Sequence, residues 1–189
     1  MAVASMRAFV AIEIPDPQVM ERLVAFQREL EETRADLKIV ERENLHYTVK
    51  FLGEITEVQA SDVDRRLKAL RLARADVTAK GVGAFPTPNR PRVVWVGVGE
   101  GDAQKVDAIA KPVIEALRGI GEQDNRPFQA HLTVARVRSG ANRQNLETFL
   151  RENRDRTFGP VEIKEFRLKS SVLTPKGPIY SDVGVYGLN

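Results

Sequence analysis

His46-Tyr47-Thr48-Val49 and His131-Leu132-Thr133-Val134 are one pattern written twice. The chain has 2 histidines, and each opens one copy, a little under half of the 189 residues apart. Threonine fills about one position in twenty. Two unrelated histidines would both have it two places on in about one case in 400, so the repetition outweighs the chance match that any short motif invites.

Both copies lie in runs rich in β-formers, Leu45 to Leu52 and His131 to Val137. In a strand, residues i and i+2 share a face. His46 and Thr48 therefore point one way, and Tyr47, Val49 and Phe51 point the other, toward a core. His131 and Thr133 likewise oppose Leu132 and Val134. Two such strands side by side would set two imidazoles and two hydroxyls around one point.

The composition is that of an ordinary soluble globular protein, with 42% hydrophobic and 29% charged residues. At 189 residues one compact domain is expected, running the whole length from 1 to 189. The net charge of +3 tolerates a polyanionic partner without requiring one. Without cysteine there are no disulfides, thiol nucleophiles or Cys-based zinc sites, and a reducing, cytoplasmic setting fits. No apolar run approaches a membrane span, and Met1 to Ser5 is too short for a signal peptide.

Arg7 to Ile14 reads as a strand, with Val10, Ile12 and Ile14 on one face. Asp16-Pro17 opens a helix with Val19, Leu23, Phe26 and Leu30 as its stripe. After the strand at Leu37 to Val40 and the first histidine strand, Thr56 and Gln59 form a capping box. Strands are expected at Asp76 to Phe85 and Arg92 to Val98, separated by a proline-rich loop. Asp102 caps a third helix, which Pro112 should kink or break. A fourth helix starts at Asn142. Val161 to Leu173 and Ile179 to Tyr186 close the chain as strands joined by a turn at Pro175 to Pro178. This order is α+β with antiparallel pairing, not a βαβ repeat. No P-loop, GxGxxG, HExxH or Gly-x-Ser-x-Gly pattern is present.

The two motifs, with Arg7 to Pro15, Glu43-Asn44-Leu45, Lys50 to Gly53, Gly81 to Pro86, Ala135-Arg136 and Leu173 to Tyr180, resemble the 2H phosphoesterase superfamily. Within it the chain is most similar to the RNA 2′,3′-cyclic phosphodiesterases, also called 2′-5′ RNA ligases. It departs from them at Ala130, where relatives carry proline. The resemblance implies a bilobal fold, two antiparallel-rich sheets around a central cleft with helices outside and pseudo-symmetric lobes. It also implies metal-free opening of a ribose 2′,3′-cyclic phosphate to a 2′-phosphate, on RNA ends that include tRNA fragments. No cofactor is implied, and a monomer is expected.

That reaction needs a base for water and an acid for the departing oxygen, and histidine suits both near neutrality. His131 is assigned as base and His46 as acid, a choice the symmetry leaves close to even. Thr48 and Thr133 are donors toward the phosphate. Arg136 matches the arginine that meets the phosphate in relatives, but a regular pleat turns it away from His131, so a bulge or strand end is required there. Phe9 is read as satellite core or a base-stacking ring, and Lys176 as a cleft-mouth or solvated lysine. Two other classes stay open: an RNA-end-binding or RNA-joining protein, and a metal-dependent hydrolase, for which two histidines without close carboxylates are a thin ligand set.

Overall fold

The computed structural model describes residues 5–123, 126–175 and 177–189. Among the described residues, nine strands form one antiparallel sheet and four helices pack on it. The strands are β1 (Ser5–Glu13), β2 (Leu37–Ile39), β3 (His46–Thr56), β4 (Ala75–Phe85), β5 (Val93–Val98), β6 (Leu132–Val137), β7 (Thr157–Ile163), β8 (Glu165–Thr174) and β9 (Gly177–Gly187). The helices are α1 (Pro17–Glu32), α2 (Glu57–Ala69), α3 (Ala103–Ala116) and α4 (Arg143–Glu152). No helix among the described residues is long and apolar enough to cross a membrane.

The sheet order is β7-β4-β5-β6-β3-β1-β8-β9, with β2 added on β6. One half holds β7, β4, β5 and β6, and the other holds β3, β1, β8 and β9. They meet through a single register pair, Tyr47 with Leu132.

The expected single strand from Val161 to Leu173 is two strands. β7 ends at Ile163 and β8 starts at Glu165. Only Lys164 lies between them, yet β7 is one edge of the sheet and β8 belongs to the far half. One residue spans at most ~3.6 Å, and neighbouring strands alone are ~4.8 Å apart. The sheet must therefore curl until its two ends come together. The seam is sewn by Leu188 N–H donating to the Lys164 carbonyl at 2.7 Å and Arg74 N–H donating to the Asn189 carbonyl at 3.0 Å.

Local chemistry sets the helices. Asp16 caps α1, accepting from the N–H groups of Gln18 and Val19 at 2.8 and 2.9 Å. Thr56 and Gln59 exchange both bonds of the capping box on α2. α3 corrects the Asp102 cap and the break, one of the two outcomes expected at Pro112. Asp102 does not cap it: one carboxylate oxygen accepts from Thr78 N–H at 2.8 Å, and the other meets Lys105 at 2.7 Å. Pro112 does not break it, because one lost N–H is outweighed by the buried stripe of Val106, Ile109, Ala110 and Val113 on either side. Each valine or isoleucine so buried stabilises by about 1.5–3 kcal/mol.

Candidate active site

The Tyr47–Leu132 pair decides the site. In an antiparallel register through that pair, His46 lies across from Thr133, and Thr48 across from His131. Each imidazole thus neighbours the other motif's hydroxyl. Tyr47 and Leu132 point into the core, 1% and 0% exposed, while His46, Thr48, His131 and Thr133 are all half-buried on the opposite face. The alternation read from the sequence holds across both motifs.

The two rings are held differently. The Nδ1 of His131 lies 2.8 Å from the Gln129 carbonyl. A carbonyl only accepts, so Nδ1 carries the proton and Nε2 presents its lone pair outward. The Nε2 of His46 lies 3.1 Å from the Thr48 hydroxyl. Burial holds the His46 imidazole down to about 4, and the positive charge of Lys169 pushes the same way, while Glu13 and a backbone hydrogen bond at Asn44 oppose them. His131 is also held below its ordinary value by burial, with the Gln129 bond opposing and Arg126 and Arg136 adding to the depression. Both histidines are neutral at pH 7 before a substrate arrives.

The bulge that Arg136 requires is present. On β6, Thr133 pairs with Trp95 but Ala135 pairs with Val94, so Val134 is the extra residue. Val134 and Ala135 are both buried, and Arg136 emerges on the side of Thr133. The carbonyl that the bulge frees is not orphaned. Val134 O accepts from the buried Gln27 side chain at 2.9 Å and from Val40 N–H at 3.0 Å. His46, Thr48, Thr133 and Arg136 then line one cavity of about 140 Å³ with Lys38 and Tyr180. His131 is not in that wall. Its ring stands beside it, edge-on to Phe85 at 4.9 Å.

A second pair of slips corrects the expectation for Phe51. The β1–β3 register shifts between Ala8 and Phe9 and again between Val10 and Ala11. The phase of β3 changes, so Phe51 leaves the core and is half-buried, with the Arg7 guanidinium 4.7 Å from its ring centre. Phe9 is 3% exposed and stacks on His46 at 5.0 Å, which closes its faces to a nucleobase. Lys176 and residues 1–4 lie outside the described residues.

Sequence reasoning missed the charged group behind His46. Glu13 is the cross-strand partner of His46. The Lys169 ammonium, on a residue 6% exposed, binds the Glu13 carboxylate and reaches Asp182 at 2.8 Å. Arg167 meets Glu13 at 3.0 Å and Asp182 at 2.6 Å. A signal was available, because Arg167, Lys169 and Ser171 alternate with Phe166 and Leu168. Tyr180 was also missed; its ring meets His46 edge-on at 5.6 Å.

A family model described as LigT-like phosphoesterase matches this chain twice, over residues 12–95 and 97–180. A protein of Archaeoglobus fulgidus named RNA 2′,3′-cyclic phosphodiesterase is 40% identical over 96% of this chain and 99% of its own. One of the same name from Aeropyrum pernix is 41% identical over 84% of this chain and 90% of its own. Among solved structures, a Thermus thermophilus protein superposes with a TM-score of 0.72 at 30% identity, covering 96% of this chain and 97% of its own. The LigT protein of E. coli, solved with 3′-AMP, superposes with a TM-score of 0.76 at 22% identity, covering 98% and 99%. With the family model matching most of both halves of the chain, the protein belongs to the LigT-like phosphoesterases of the 2H superfamily.

Proposed function

We propose that this protein is an RNA 2′,3′-cyclic phosphodiesterase that opens the cyclic phosphate to a 2′-phosphate. The observation that carries the reading is the crossed pairing of the motifs, which sets each histidine across from the other motif's threonine, with His46, Thr48, Thr133 and Arg136 lining one cavity and His131 beside it. The names of the relatives point to the same substrate class.

The free Nε2 of His131 removes a proton from water, whose oxygen attacks phosphorus as the P–O3′ bond breaks. His46 delivers a proton to the departing 3′ oxygen, leaving a 3′ hydroxyl and a 2′-phosphate. His46 gains that proton when the phosphate anion enters and offsets the burial that keeps the ring neutral. Protonation also ends its bond from Thr48. A neutral Nε2 accepts from the hydroxyl, while a protonated one no longer can, which frees the Thr48 O–H for a phosphate oxygen and leaves the Nε2 proton for the departing 3′ oxygen. Thr133 and Arg136 supply further donors to the same anion.

The reaction needs no metal in this reading. No group of three or more His, Asp or Glu side chains among the described residues gathers as a ligand set. In this reading the protein acts as a monomer on single-stranded RNA ends such as those of tRNA fragments.

The test is an RNA oligomer ending in a 2′,3′-cyclic phosphate, incubated with the protein in excess chelator. A 2′-phosphate product is expected. A 3′-phosphate product, or loss of turnover on adding chelator, overturns the reading.

A further inference from the structure

Beyond Arg136, β6 leads out of the cleft into a second, larger cavity of about 350 Å³. Its walls carry four arginines, Arg90, Arg92, Arg138 and Arg143, and no acidic side chain. All four are exposed, and none makes an ion pair among the described residues. Several other arginines are matched, Arg65 and Arg66 to Asp62, Arg118 to Glu115 and Arg156 to Glu29, whereas here four without an ion pair share one concavity. Four unmatched guanidinium groups in one concavity repel one another, an arrangement that an anion relieves.

An independent feature opens into the same space. The cavity is lined by Ser139, Gly140 and Ala141, which lead into α4, and by its first residue, Arg143. No side chain caps that helix: Asn142 holds a left-handed backbone at φ 51°, not the extended one a cap uses, and its amide donates to the Arg34 carbonyl at 2.7 Å. The first turn holds no acidic residue. A helix start with no side-chain cap and no acidic neighbour favours a phosphate.

We propose that this cavity binds phosphates of the RNA strand upstream of the cyclic end, so that the protein holds the body of its substrate as well as the terminus. The proposal rests on the RNA-terminus reading of the cleft. Arg136 lines the cleft and Arg138 lines the arginine cavity. Arg138 follows the end of β6, two residues on from Arg136, about 7 Å at ~3.3 Å per extended residue. Lys38, the cross-strand partner of Arg136, extends the positive path on the cleft side. No aromatic ring that could stack a base joins the arginines, so phosphate contacts dominate, and these carry no sequence information.

The experiment compares fluorescent RNAs of one, six and twelve nucleotides ending in a 2′-phosphate, followed by anisotropy over a salt series. The wild type is expected to bind the twelve-mer more tightly than the mononucleotide, with a salt dependence that grows with length. The Arg138→Gln/Arg143→Gln and Arg90→Gln/Arg92→Gln proteins should each lose most of that length advantage. Their salt slopes should fall by about one unit per phosphate contact removed. Arg→Lys versions should keep much of both. Turnover of cytidine 2′,3′-cyclic phosphate should be unchanged in all of them, since the substituted residues stand outside the cleft. If the wild type fails to open that mononucleotide, the cleft reading is wrong, while the length series still judges the cavity. Equal affinity and equal salt slope in wild type and variants overturn the proposal. So does loss of poly-glutamate binding with RNA binding intact, which assigns the cavity to an acidic protein instead.

Discussion

Glu13 stands directly across the β1–β3 ladder from His46, yet its carboxylate is held by Lys169 and Arg167. A negative charge beside a histidine ordinarily raises its pKa. Here Lys169 counters it, and burial leaves the ring near 4.

Lys169→Met removes the countercharge and leaves Glu13 and Asp182 with Arg167 alone. Losing charge-assisted hydrogen bonds at a buried site costs about 1.5–3 kcal/mol each, so the variant should melt at lower temperature. With the nearby cation gone, His46 should also titrate higher, and the rate profile should move to higher pH. A melted-down protein with an unmoved profile would show that Lys169 is structural only.

Before substrate binds, the acid is protonated only toward pH 4 and the base titrates below 6.5. The product of the two fractions peaks between those values. The kcat/KM profile should therefore be a bell lying on the acidic side of pH 6.5. The kcat profile reports the bound complex, where the phosphate anion raises His46, and should lie at higher pH. Steady-state kinetics across pH 4 to 9 decide it; a kcat/KM bell centred above pH 7 would be evidence against the buried, neutral His46.

The same residue sets an acid sensitivity. An unfolded histidine titrates near 6.5 and folded His46 near 4. Below 6.5 the unfolded chain binds a proton that the folded chain refuses, so stability present above 6.5 is lost as the pH falls toward 4. His46→Gln removes this penalty. Its melting temperature should fall less than that of the wild type between pH 7 and pH 4.5, as followed by circular dichroism. Parallel curves for the two proteins would refute the assignment.

Alanine at either histidine should slow turnover on the order of 10²–10⁴-fold. The double change should cost far less than the product of the singles, because the two act as a unit. Thr48→Ala and Thr133→Ala should each cost less than either histidine. A folded single histidine variant with wild-type turnover removes that residue from the chemistry.

Arg136→Gln deletes a charged donor without touching the proton transfers. A hydrogen bond to a charged group is worth about 1.5–3 kcal/mol, or about 10–100-fold. KM should rise within that range, and Arg136→Lys should recover part of it. A fall in kcat at constant KM would instead place Arg136 in the transition state only.

The motifs were legible because a period of two needs nothing beyond the strand itself. Helix starts were legible where a cap is local, as at Asp16 and Thr56. Asp102 failed because its carboxylate had a partner 24 residues away on β4. Phe51 failed because the register slips that turn it belong to the pairing with β1, and pairing leaves no mark on one strand's sequence. At Arg136 the strand period, set against the role the resemblance implies, asked for a bulge or a strand end, while Gln27, whose side chain satisfies the bulge, lies on α1 more than a hundred residues away. The Glu13–Lys169 contact joins the two ends of the chain and is a property of the fold.

The single residue between β7 and β8 has a mechanical side. Where many enzymes shut a lid over their substrate, the two walls here are joined at the back by strand running straight into strand, with no slack to extend. The gap is ready-made. An RNA end enters a mouth whose width is already set, so little ordering entropy is lost in capture.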